Sequence, residues 1–115
     1  MSPARIDCQR DGDIATVVLD HPERLNALNL DMWRGLGQVF TQLAAEPALR
    51  CIVLRGAGER AFSAGADIAE FDSVRGSSAQ SRAYSAVTRV ALQAIEACPV
   101  PVIAQIHGPC VGGGL

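Results

Sequence analysis

The sequence predicts an α/β fold, and three observations carry that reading. Apolar runs of strand length recur along the chain, at Ile14 to Leu19, Cys51 to Leu54 and Val102 to Ile106. Between them lie two stretches of helical apolar spacing. One runs through Trp33, Leu36, Phe40 and Leu43, and the other through Tyr84, Val87, Ala91, Ala94 and Ile95. The order is strand–strand–helix, strand–loop–helix, then strand and glycine turn, an alternation that layers helices on a sheet.

Ile6 to Arg10 and Ile14 to Leu19 flank Asp11-Gly12-Asp13, and an Asp-Gly pair between extended runs predicts a hairpin. Pro22 has no N–H for a ladder, so Asp20 to Arg24 ends the second strand. Leu25-Asn26-Ala27-Leu28 leads to a helix that Asn29 caps, with Asp31 facing the positive end of the dipole. Trp33 reads as a core residue of that helix rather than a stacking platform, and Pro47 stops it beyond Ala45. A buried strand, Cys51 to Leu54, and a turn, Gly56-Ala57-Gly58, follow. Asp67 to Phe71 predicts a short helical turn, and Arg75-Gly76-Ser77-Ser78 a loop whose serines cap the second long helix. Pro99 and Pro101 end that helix. Val102 to Ile106 reads as another buried strand. Gly108-Pro109 turns the chain, and Gly112-Gly113-Gly114 stands where a further helix is due.

The 115 residues suit one domain or part of one, without repeats or linkers. A net charge of −2, with Arg residues dispersed between Arg5 and Arg89 and no Lys, argues against a nucleic-acid partner. Cys8, Cys51, Cys98 and Cys110 are irregularly spaced and, with only His21 and His107, form no metal-ligand pattern. They read as reduced thiols of a cytoplasmic protein. No run approaches the roughly 18 apolar residues of a membrane span.

Two stretches leave the backbone open to a ligand: Ser63 to Ala66, after a strand, and Gly112 to Gly114. Together they offer a pair of N–H donors to one ligand oxygen. Other readings compete. Gly56-x-Gly58-x-x-Ala61 after a strand matches a dinucleotide-binding fingerprint, but the helix that must open inside it has no apolar periodicity. Ser63 as a nucleophile, with His107 as base, lacks the glycine of an elbow two residues earlier. Nothing around Cys110 lowers a thiol pKa. The triple glycine has a structural explanation as well, the relief of crowding against a neighbouring segment.

Three blocks carry a family resemblance: Asp20-His21-Pro22-Glu23-Arg24-Leu25-Asn26-Ala27-Leu28, Ala61 to Phe71, and Ile106 to Leu115. In that order they resemble the crotonase (enoyl-CoA hydratase/isomerase) superfamily. The resemblance implies a crotonase-like spiral of ββα units, of which residues 1–115 are the N-terminal part, truncated before the C-terminal half. It implies an acyl-CoA substrate with no separate cofactor and no metal, hydration of trans-2-enoyl-CoA in fatty-acid metabolism, and a homotrimeric or homohexameric parent. By motif position, the oxyanion hole uses the N–H groups of Ala66 and Gly113. Ala64, Ala66, Asp67 and Ile68 fall on the segment that holds the CoA moiety, and Arg24 near its phosphates. The family's two acid–base glutamates fall beyond Leu115, so the expectation for these residues alone is inactivity. The alternative is a non-catalytic, CoA-binding or partner-associating chain.

Overall fold

The computed structural model of the chain describes residues 4–70 and 76–115. Phe71 and Arg75, at the ends of two predicted features, lie outside the described residues. Strands β1 (Arg5–Asp11) and β2 (Ile14–Asp20) form the predicted hairpin, with Gly12 at φ +64° between Asp11 and Ile14. Helix α1 (Leu30–Ala44) follows, then strand β3 (Cys51–Gly56), helix α2 (Ser78–Glu96) and strand β4 (Val102–Gln105). The four strands form one sheet in chain order, with β1 antiparallel to β2, and β2, β3 and β4 mutually parallel.

Strand register puts Ala15, Ile52 and Val102 in one row, and Val17, Leu54 and Ala104 in the next row of the same face. That face joins Leu36, Phe40 and Leu43 of α1 in a single core. Trp33 belongs to it as well, 4% exposed. Asn29 caps α1 as the sequence predicts, its Oδ1 accepting the Met32 N–H at 2.8 Å. Ser77 does the same for α2 through the Gln80 N–H at 3.1 Å. The helices meet where α1 has no side chain, since a Cβ on Gly37 would lie 3.4 Å from the Ala91 backbone.

Two expectations change. Val102 to Ile106 reads as a buried strand, but β4 is the outer strand of the sheet with β3 as its neighbour. Ile103, on the face opposite Val102 and Ala104, and Ile106, just beyond the strand, are about half exposed. The predicted apolar face of α2 is real through Tyr84 and Ala91, yet Val90 and Leu92 beside it are also exposed. No helix among the described residues is long and apolar enough to cross a membrane.

Candidate active site

Because β2, β3 and β4 run parallel, the segments leaving their carboxyl ends gather at one edge of the sheet, the usual place for a ligand in such sheets. Residues 21–29 leave β2, 57–67 leave β3 and 106–115 leave β4. Two isolated parallel bridges tie them together, Leu28 to Ala66 and Ser63 to Cys110.

The bridges set the direction of particular amides. The Leu28 N–H donates to the Gly65 carbonyl at 2.7 Å, and the Asp67 N–H donates to the Leu28 carbonyl at 2.9 Å. A trans peptide holds its N–H opposite its C=O. Pinning the Gly65 carbonyl to Leu28 therefore turns the Ala66 N–H away from Leu28. The same logic applies at Gly112–Gly114, a single 3₁₀ turn. The Gly112 carbonyl accepts the Leu115 N–H at 3.0 Å, which leaves the Gly113 N–H directed out of the turn. Neither the Ala66 nor the Gly113 N–H has an acceptor among the described residues.

The two amides are neighbours. A Cβ built on Gly113 would sit 3.4 Å from the Ala66 nitrogen, and one built on Gly65 would sit 3.1 Å from the Gly113 nitrogen. Gly65 also has φ +96°, where an L side chain is strained. The crowding explanation of the glycine run holds for Gly114, whose Cβ would meet the Ser63 carbonyl oxygen at 2.7 Å. Opposite, the Trp33 ring supports the turn, its Cζ2 3.2 Å from the same hypothetical Gly113 Cβ.

A cavity of about 310 Å³ opens beside Gly113 and Gly114, lined by Leu28, Trp33, Leu92, Ile106 and other residues without an ionisable side chain. A larger cleft, about 510 Å³, lies between α1 and α2 around Gly37, Thr41 and Val90 and does not reach the amide pair.

Of the other residues singled out in sequence, Ala64 is half-buried, and its N–H donates to the Leu25 carbonyl at 3.0 Å. Asp67 caps the following 3₁₀ turn through the Ala69 N–H at 3.0 Å, and Ile68 projects into solvent, 76% exposed. Arg24 is exposed on the 3₁₀ turn Pro22–Arg24 and is in no ion pair among the described residues.

The competing readings fail on geometry. After β3 the chain makes a turn at Gly58 and an extended segment, and no helix opens inside the glycine fingerprint. The Ser63 hydroxyl is fully buried and donates to the Asn26 carbonyl at 2.8 Å, while His107 Nε2 sits on the Gly58 carbonyl at 3.1 Å. All four cysteines are free, and the Cys110 thiol donates to the Gly114 carbonyl at 3.1 Å. No metal-binding group of three or more His, Cys, Asp or Glu is present among the described residues. Sequence reasoning missed Asn26, which is buried at the junction of two of the three segments. Its sequence signals are its place in the Asp20–Leu28 block and an Asn beside a Pro-bearing turn, a residue type that tolerates left-handed backbone.

A mostly parallel sheet covered by helices, with site segments at the carboxyl ends of its parallel strands, is the architecture of an α/β enzyme domain. The sequence pattern of the enoyl-CoA hydratase/isomerase family matches residues 9–115. The chain belongs to that family. It superposes with a TM-score of 0.93 on the crystal structure of an enoyl-CoA hydratase/carnithine racemase from Magnetospirillum magneticum, at 53% identity, over 98% of this chain and 42% of that one. The peroxisomal Δ(3,5)-Δ(2,4)-dienoyl-CoA isomerase of Arabidopsis thaliana is 36% identical, over 91% of this chain and 41% of its own length. The crotonyl-CoA hydratase of Syntrophomonas wolfei is 31% identical, over 99% and 43%. The chain thus spans about two-fifths of the length of these relatives, and the fold is the crotonase fold in its N-terminal portion.

Proposed function

We propose that the Ala66 and Gly113 N–H groups form an oxyanion hole for the thioester carbonyl of an acyl-CoA. The observation that carries this reading is the pair of neighbouring amides without acceptors among the described residues, each oriented by a carbonyl pinned on its far side. Adding water across the C2–C3 double bond of a trans-2-enoyl-CoA, or moving that double bond, places negative charge on the thioester oxygen. Two fixed donors stabilise that charge, and loss of one such donor costs roughly 10²–10³ in rate in comparable sites. Hydration of trans-2-enoyl-CoA in cytoplasmic fatty-acid metabolism is the reaction we assign to the whole protein, with the assembly a trimer or hexamer. Ala64, Ala66, Asp67 and Ile68 flank the CoA side of the carbonyl, and Arg24, exposed and in no ion pair among the described residues, is available to its phosphates.

Hydration also needs a general acid and base, each worth roughly 10²–10⁴. The cavity beside Gly113 presents none. The 115 residues alone are therefore expected to hold the ligand without turning it over. The test is calorimetric titration with acetoacetyl-CoA, whose enolate resembles the charged intermediate, and with CoA alone. Ala66→Pro removes one donor without breaking a hydrogen bond of the described residues, so it is expected to weaken acetoacetyl-CoA binding by a larger factor than CoA binding, Ala66 also lying on the CoA side of the carbonyl. Equal weakening of both, or of neither, in a variant of native circular dichroism contradicts the assignment.

A further inference from the structure

Asn26 is 1% exposed and has φ +58°. Its side chain is fully used. Oδ1 accepts the His21 N–H at 2.9 Å, and Nδ2 donates to the Ala57 carbonyl at 3.0 Å and the Ala61 carbonyl at 2.9 Å. Only this placement of oxygen and nitrogen satisfies one donor and two acceptors. Its own carbonyl accepts the Ser63 hydroxyl at 2.8 Å, and that hydroxyl oxygen accepts the Gly65 N–H at 3.1 Å. Gly56 makes room for the amide group, since a Cβ there would lie 2.6 Å from Nδ2.

We propose that Asn26 is the positioning residue of the Ala66–Gly113 amide pair, fastening residues 57–63 to the segment after β2 so that the Leu28–Ala66 bridge closes in one register. The proposal rests on the reading of that pair as a carbonyl-binding site. The chain of contacts is short. Asn26 holds both ends of the Gly58–Arg60 turn through Ala57 and Ala61, and it holds Ser63 through its carbonyl. Ser63 in turn holds Gly65. Leu25 and Leu28, on either side of Asn26, bind Ala64, Gly65 and Asp67 through backbone hydrogen bonds. A slip of one residue in this seam would turn the Ala66 N–H toward Leu28 and the Gly65 carbonyl, on the other side of the same peptide plane, toward the ligand. An aspartate in place of Asn26 keeps the shape but loses both donors, and sets a carboxylate against two carbonyl oxygens.

The test compares the unmodified chain with Asn26→Gly, which keeps the left-handed backbone, and Asn26→Asp. Amide hydrogen exchange at Leu28, Ala64 and Asp67 is expected to rise roughly tenfold or more in both variants. Exchange at Val17 and Val18, in the middle of the sheet, is expected to stay within twofold of the unmodified chain (about the scatter between matched samples). Acetoacetyl-CoA labelled with ¹³C at the thioester carbon supplies the second readout. Its bound resonance should be displaced from the free position in the unmodified chain and return toward it in the variants, with CoA binding retained. Unchanged exchange at Leu28, Ala64 and Asp67 overturns the role of Asn26. Loss of protection throughout the sheet in both variants also overturns it, because Asn26 would then hold the whole fold rather than the site. No displacement of the carbonyl resonance in the unmodified chain sinks the oxyanion reading instead, and the exchange data still decide whether Asn26 sets the seam.

Discussion

Gly114→Ala is a sharp test of how closely the two site segments must approach. The added methyl would stand 2.7 Å from the Ser63 carbonyl oxygen and 2.8 Å from its Cβ, contacts that real Cβ atoms do not make. To reach the 3.4 Å of ordinary contact, the glycine turn and the Ser63–Ala66 segment must separate by about 0.7 Å. The Val111 N–H to Ser63 carbonyl bond, already 3.2 Å, lies in that gap and would be lost. A ligand oxygen held at about 2.9 Å by both amides could then reach only one of them, because 0.7 Å more takes the second beyond hydrogen-bonding range.

Loss of one donor predicts acetoacetyl-CoA binding weaker by roughly 10²-fold. The stability cost is about 1–3 kcal/mol, typical of overpacking. Gly12→Ala serves as the control. Gly12 has open space around it and φ +64°, so alanine there costs about 1–2 kcal/mol of backbone strain far from the site. Urea unfolding and calorimetric titration of both variants separate the two effects. Matched stability losses with matched affinity would refute the argument that the Ser63–Gly114 approach sets the amide spacing.

Three further outcomes follow from particular contacts. Asn29→Ala removes the cap of α1 and should lower stability by about 1 kcal/mol in urea unfolding, without changing ligand affinity. Trp33 Nε1 is buried with no acceptor among the described residues, so Trp33→Phe should cost less than about 1 kcal/mol by the same measurement, the lost volume being offset by removal of an unsatisfied donor. Partial desolvation foremost, and then the Asp7 carboxylate, raise the Cys8 thiol above its ordinary value, with Arg10 opposing. Cys8 is the exposed cysteine of the four, and its alkylation in the folded chain should therefore accelerate only at a pH above that of a free thiol, as mass spectrometry of the labelled peptide will read.

The hairpin, the two capped helices and the β3 strand were legible because each is declared locally. Asp-Gly sets the turn, Asn29 and Ser77 supply capping oxygens, and Trp33, Leu36, Phe40 and Leu43 keep helical spacing. The exposure of β4 was not legible, since Val102 to Ile106 has the composition of a central strand and its place at the sheet edge depends on what lies beside it. The structural role of Ser63 was not legible for a related reason. The missing elbow glycine argues against a nucleophile, but only the fold reveals Asn26 and Gly65 on either side of the hydroxyl.

The amide pair marks a deeper limit of reading residues as chemistry. Every residue except proline carries an N–H, so no side chain announces that the N–H groups of Ala66 and Gly113 are left without an acceptor among the described residues. What distinguishes them is the far end of each peptide plane: Gly65 is held by Leu28, and Gly112 by Leu115. The residue types that do leave a trace are the permissive ones, Gly65 at φ +96° and Gly114 against Ser63, because a side chain at either would force the segments apart. Glycine in the sequence therefore indicates where backbones approach, whereas the direction of the donors is fixed by partners elsewhere in the chain. Asn26 is such a partner. It lies 40 residues before Ala66 in sequence and touches neither amide, yet it secures the segments that orient one of them.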